Sequence, residues 1–176
     1  MIIYLIRHTS VAVEPGICYG QSDVSLKSSF QEEAAITSSL LKDIKFDKVY
    51  TSPLSRCLKL ATYCGYPDAE MDNRLMEINF GDWEMQPFAS ITDKKIEEWY
   101  KDYLNVRATN GESFMDQYAR VANFMNDLKK NEYDTVAIFA HGGTIINARI
   151  YSGDIKIEDS FNSLTPYGGI EKIELK

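Results

Sequence analysis

The sequence predicts an α/β fold: three layers, α/β/α, around a mainly parallel central sheet, with residues 1–176 as one domain. Two observations lead there. Short apolar runs such as "MIIYLI" and "TVAIFA" alternate along the chain with longer segments of helical periodicity, and that alternation builds crossover units with parallel strands. No repeat, low-complexity tract or linker divides the 176 residues, a length that suits one core.

The elements follow in order. Residues 1–7 form a buried strand, being a short Ile-rich apolar run. A polar loop with Pro15, Gly16 and Gly20 continues through Asp23. Ser25 caps a helix reaching about Ile44, whose apolar face is Leu26, Phe30, Ala34, Ile36, Leu40 and Leu41. "FDKVYTS", 46–52, is a second strand, and Ser52-Pro53 opens a helix that Gly65 and Pro67 end near Cys64. A short strand covers 69–73, and the aromatic, glycine-interrupted "RLMEINFGDWE" is a loop. Helices span 90–104 and 112–130, the second with a core face of Phe114, Tyr118, Val121, Met125 and Leu128. Strand 134–140, helix 143–151 and a strand near 170–175 complete the chain.

Composition excludes several classes of function. A net charge of −7 disfavours nucleic-acid and anionic-membrane surfaces. No apolar run approaches the roughly 20 residues of a membrane helix, and "MIIYLI" is too short for a secretory signal. Cys18, Cys57 and Cys64 are an odd number without metal-ligand spacing, so a reducing cytoplasm is expected. The sequence does not specify an oligomeric state.

The two histidines of the chain, His8 and His141, both fall at the downstream end of an apolar strand. In open α/β sheets, ligands bind at the carboxyl ends of strands, where loops gather and helix N-termini point inward. Arg7 precedes His8, and Arg56 lies in the first turn of the helix after the second strand. Two imidazoles, two guanidinium groups and free backbone amides suit a phosphate. Singly, each has a plain structural reading: a hydrogen-bonded strand-end His, a solvated helix Arg, a Gly-Gly turn, an exposed Glu77. Their shared topological position is what the plain reading leaves unexplained.

"LIRHTS", "YTSPLSRCLKLA", "LMEINFGDWE" and "AIFAHGGTI" resemble, in order, the four signature segments of the histidine phosphatase superfamily, whose fold is phosphoglycerate-mutase-like. The early loop "PGICYGQSDVSL" resembles that of the α-ribazole phosphatases of cobalamin biosynthesis. The resemblance implies a phosphomonoesterase that passes its phosphoryl group through a phosphohistidine, with α-ribazole 5′-phosphate as substrate. By position the two histidines are near-equivalent; the resemblance makes His8 the nucleophile. It makes Arg7, Arg56 and His141 the ligands of the phosphoryl oxygens and Glu77 the general acid, then base. Thr9 and Gly142 would border the pocket through their backbones, and Tyr19, Gly20 and Gln21 would line the approach. It implies no cofactor and no metal, and its partner is a small phosphate ester.

The chemistry is coherent without the family. A phosphate dianion repels anionic nucleophiles, so a neutral imidazole among cations is a suitable attacker. His8 must therefore be neutral, whereas His141 is better charged beside phosphate. Phe80 and Trp83 could bury Glu77, and with Tyr19 could stack on a flat base or simply pack the core. The sequence departs from the family pattern at Thr9, where Gly is frequent, at Ser25, where the ribazole group has Pro, and at Met85, where Gly is common. Alternative functions are a broad-specificity sugar or nucleotide phosphatase, a phosphoglycerate-mutase-type phosphotransferase, which the short chain disfavours, and a non-catalytic phospho-ligand binding module.

Overall fold

A computed structural model describes residues 1–176, with every side chain except that of residue 161. The sheet has five strands: β1 (Ile2–Arg7), β2 (Lys48–Thr51), β3 (Glu70–Met71), β4 (Thr135–Ala140) and β5 (Ile170–Glu174). Their order is β3-β2-β4-β1-β5. All neighbours run parallel except β5, which lies antiparallel on β1.

Side chains of β1 and β4 alternate between two faces, as strand geometry requires. Ile3, Leu5, Val136, Ile138 and Ala140 pack one face against α4 (Phe114–Leu128) and α5 (Gly142–Ser152). Ile6, Ala137 and Phe139 pack the other against α1 (Phe30–Leu41) and α2 (Ser55–Tyr63). The result is the expected α/β/α sandwich, both faces apolar because helices cover both. A third cluster, built on Cys18, Trp83, Ile91, Ile96 and Ala108, holds the segment from 80 to 108, which contains α3 (Lys95–Lys101). Among the described residues, no helix is long and apolar enough to cross a membrane.

Three expectations need correction. The first helix starts at Phe30, not after Ser25. Val11 pairs with Leu26 in an isolated bridge, and the Lys27 amide donates to Ser10 O, so non-local pairing claims these residues. Its inner face is Ala34, Thr37 and Leu41, while Ile36 and Leu40 are exposed. The helix expected over 90–104 is confined to Lys95–Lys101. Asp93 stops it from beginning earlier by taking the Lys95 amide on its own carboxylate. In α4 the capping box of Ser113 and Asp116 sets the start, and the buried face contains Gln117 and Phe124 where Tyr118 was expected.

Candidate active site

The register of the sheet builds the site. Arg7 of β1 is paired with Ala140 of β4, so the next residues, His8 and His141, leave the sheet side by side. The ladder runs one step further, His8 N–H donating to Ala140 O at 3.2 Å. The imidazole rings meet edge to face, with centroids 5.2 Å apart and 62° between planes. On the far side of β4, the Ser52 amide donates to Phe139 O, which brings Ser52 beside His141.

The hydrogen bonds assign the tautomers. His8 Nδ1 lies 2.8 Å from the carbonyl of Thr9. A carbonyl only accepts, so Nδ1 carries the hydrogen and Nε2 keeps its lone pair. Burial, and then the Arg56 charge, push the His8 pKa down to about 3, with Arg7 adding to the fall and the Thr9 carbonyl opposing it. His8 is a neutral imidazole whose free nitrogen is Nε2. His141 is buried completely, and its Nδ1 accepts from Arg56 Nε at 3.2 Å. Its Nε2 therefore carries the hydrogen and donates to Ser52 Oγ at 2.8 Å. Burial first, then the charge of Arg56, holds the His141 pKa well below the ordinary imidazole range. The positive charge expected on His141 is thus disfavoured in the protein by itself.

The guanidinium groups are held differently. Arg56, on the first turn of α2, is fully buried. It donates to His141 Nδ1, to Ser22 O at 2.9 Å and to Gly20 O at 2.6 Å, leaving two of its five N–H bonds uncommitted among the described residues. Arg7 donates to Thr165 O at 2.6 Å and stacks 4.0 Å from the ring of Tyr167. Its Nε is buried without a partner among the described residues, an orphan donor that an anion would satisfy.

Glu77 sits against the N-terminus of α5. Its Oε2 accepts from Gly143 N–H at 3.1 Å, and its Oε1 accepts from Ile78 N–H at 2.9 Å and Gln117 Nε2 at 2.8 Å. A Cβ on Gly143 would come within 2.4 Å of Oε1, so a glycine is needed for this approach. Arg120 clamps the segment that carries Glu77, donating to the carbonyls of Arg74, Met76 and Glu77 while paired with Glu112.

Arg7, His8, Tyr19 and Glu77 open into a cavity of about 340 Å³. Its outer walls are Phe80, Phe88, Trp99, Tyr103 and Phe114, closed by Ile146 and Leu164. Tyr19 spans the mouth, its hydroxyl 2.8 Å from that of Tyr167, and its ring lies 5.6 Å from the Arg56 guanidinium.

The other residues singled out by sequence stand behind this wall. Thr9 is fully buried and serves His8 through its carbonyl; its hydroxyl has no partner among the described residues. Gly20 presents its carbonyl to Arg56, and a Cβ there would overlap Ile78 O, so the backbones touch. Gln21 turns its side chain to the carbonyl of Glu77 at 3.1 Å. Gly142 adjoins the Arg7 guanidinium and Leu164. Of the alternatives open for Trp83, the structure takes core packing: it is 1% exposed and its Nε1 donates to Asp93. Met85 has φ +64, a left-handed conformation that a glycine adopts without strain.

Four contributors escaped the sequence reading. Ser52 ends a strand as the histidines do, and the same topological argument reaches it. Gln117 is a polar residue at a core position of an amphipathic helix, which is a readable signal. Tyr167 and Trp99 carry none, because both reach the site from segments without a motif.

A profile of the histidine phosphatase superfamily (branch 1) matches residues 3–175. The chain belongs to that superfamily. It is 28% identical to the adenosylcobalamin/alpha-ribazole phosphatase of Escherichia coli, over 82% of this chain and 75% of that protein. It is 29% identical, over 99% of this chain and 89% of the other, to a Hydrogenobacter thermophilus protein provisionally named phosphoserine phosphatase 2. The crystal structure of the alpha-ribazole phosphatase from Shigella flexneri superposes with a TM-score of 0.90 at 25% identity, covering 100% of this chain and 91% of that one.

Proposed function

We propose that this protein hydrolyses α-ribazole 5′-phosphate, or a close nucleoside-type monoester, through a phosphohistidine on His8. The coarser part, hydrolysis of a phosphate monoester, follows from membership of the superfamily. The observation that carries the mechanism is the pairing of a neutral His8 with His141, rings 5.2 Å apart, between Arg7 and Arg56.

In the first step the Nε2 lone pair of His8 attacks phosphorus while the ester P–O bond breaks. Glu77, protonated at that moment, gives its proton to the leaving oxygen. Arg7 Nε, the uncommitted N–H bonds of Arg56, and His141 neutralise the phosphoryl oxygens. A charged His141 would carry its second proton on Nδ1, so Arg56 Nε would have to release that nitrogen and turn to the dianion as it binds. In the second step water attacks phosphorus, Glu77 takes its proton, and the N–P electron pair returns to Nε2. Phosphate leaves, and Glu77 is protonated again.

The cavity supports an aromatic leaving group. Its outer walls carry five aromatic rings, a surface for a flat base rather than for a charged amino acid. Phosphoserine is the second reading, favoured by the relative of 29% identity. Among the described lining residues, Arg7 is the one Lys or Arg side chain, and it is engaged on the phosphate side, so the serine carboxylate would find no cation. The setting we propose is the reducing cytoplasm, supported by free thiols at Cys18, Cys57 and Cys64.

The test is phosphate release from a panel of α-ribazole 5′-phosphate, phosphoserine, 3-phosphoglycerate and sugar phosphates. The expected result is the highest kcat/KM on α-ribazole 5′-phosphate and no turnover by His8→Ala. A preference for phosphoserine rejects the substrate; His8→Ala matching the wild type rejects the mechanism.

A further inference from the structure

The carboxyl that moves the proton is held by a chain of buried amides that the steps above do not use. Gln117 is 1% exposed and Asn147 is completely buried. Asn147 Nδ2 donates to Gln117 Oε1 at 3.1 Å, and Gln117 Nε2 donates to Glu77 Oε1 at 2.8 Å. The direction of this chain is set at its Glu77 end. An ionised carboxylate only accepts, so Gln117 turns its amide nitrogen to Glu77, with Thr144 Oγ1 3.4 Å from the same nitrogen, and its oxygen to Asn147. Asn147 Oδ1 has no partner among the described residues, so burial of this amide carries a cost that packing alone does not require.

The consequence appears at the two carboxyl oxygens. Each has two acceptor positions. Oε1 fills both, with Ile78 N–H and Gln117 Nε2. Oε2 fills one, with Gly143 N–H. A proton on Oε1 would displace a donor; a proton on Oε2 displaces nothing.

We propose that Gln117, oriented by Asn147, is a positioning residue that directs the transferable proton to Oε2 of Glu77. The inference rests on the acid–base role given to Glu77 above. It predicts that Gln117 matters where the leaving oxygen needs a proton and little where it does not. An alkyl phosphate monoester needs one, because an alkoxide is a poor leaving group. 4-Nitrophenyl phosphate does not, because its phenolate is stable.

The experiment compares kcat for the two esters in wild type, Gln117→Met and Asn147→Leu. Gln117→Met keeps the length of the side chain and loses the donor. It should lower kcat for the alkyl ester by about 10-fold or more, part of the 10²–10⁴ that a placed acid supplies. The ratio of the two kcat values should change by a similar factor, with KM little altered. Asn147→Leu frees the amide to turn and should shift the ratio in the same direction, by less. A loss that is equal for both esters means a merely structural role and overturns the proposal, as does no loss for either. If Gln117→Met does not fold, the Asn147→Leu ratio decides by the same criterion. Failure of the phosphatase reading is distinct, since then the wild type itself would hydrolyse neither ester.

Discussion

Acid should unfold this protein partly through His8, and the size of the effect can be worked out. His8 is 2% exposed and has a pKa of about 3 in the folded chain, against 6.5 for the free side chain. The unfolded chain therefore binds a proton, as pH falls, well before the native state does. A lowered histidine pKa makes stability fully present above pH 6.5, lost steadily as pH drops, and exhausted near pH 3. Each unit within that window removes about 1.4 kcal/mol. Between pH 7 and pH 5, His8 alone should withdraw about 2 kcal/mol from the unfolding free energy. His141 acts in the same direction, so the comparison must leave it in place. The perturbation is His8→Gln, and the assay is urea unfolding of both proteins at pH 7 and pH 5. Other titrating groups, being common to both, cancel. The wild type should lose about 2 kcal/mol more than the variant over this interval. An identical loss in both would refute the claim that the fold keeps this imidazole uncharged.

Three further outcomes are expected. Gly143→Ala drives a methyl group into the space of Glu77 Oε1; kcat for an alkyl phosphate should fall by about 10²-fold or more, with far-UV circular dichroism unchanged. Met85→Gly relieves a left-handed residue with φ +64 that is 54% exposed. The net gain should be about 0.5–1 kcal/mol after the extra chain entropy of glycine, read as a rise in Tm of about 1–4 °C. Steady-state hydrolysis should be the same with and without excess EDTA if, as proposed, Arg7 and Arg56 supply the positive charge that the phosphoryl group requires; loss of activity restored by a divalent cation would contradict this.

The frame was legible because β1 and β4 are nearly continuous apolar runs, which a doubly covered sheet explains. The positions of His8, His141 and Arg56 followed from strand ends, a topological rule that needs no distances. What the sequence concealed was of two kinds. Residues 25–29 look like a helix start because Ser25 is a favourable cap residue, and the pairing of Val11 with Leu26 that keeps them out of the helix is non-local. For Trp83 the sequence left site and core equally open, and only the turn of its indole to Asp93 decides for the core. Gln117 was hidden for a different reason. Period counting rewards apolar positions, so a lone amide on the inner face of α4 was read past rather than read as a signal.

The neighbours at the centre of the sheet are nearly strangers in the chain. β1 opens it and β4 comes after most of it, yet they share a register residue for residue. Closing so long a loop is entropically slow. A growing polypeptide thus carries His8, Arg7, Arg56 and Glu77 long before His141 exists to join them. Phosphate turnover is in this sense a certificate of completed folding: in a refolding experiment it should return after the helical signal, and a chain ending before β4 should show none.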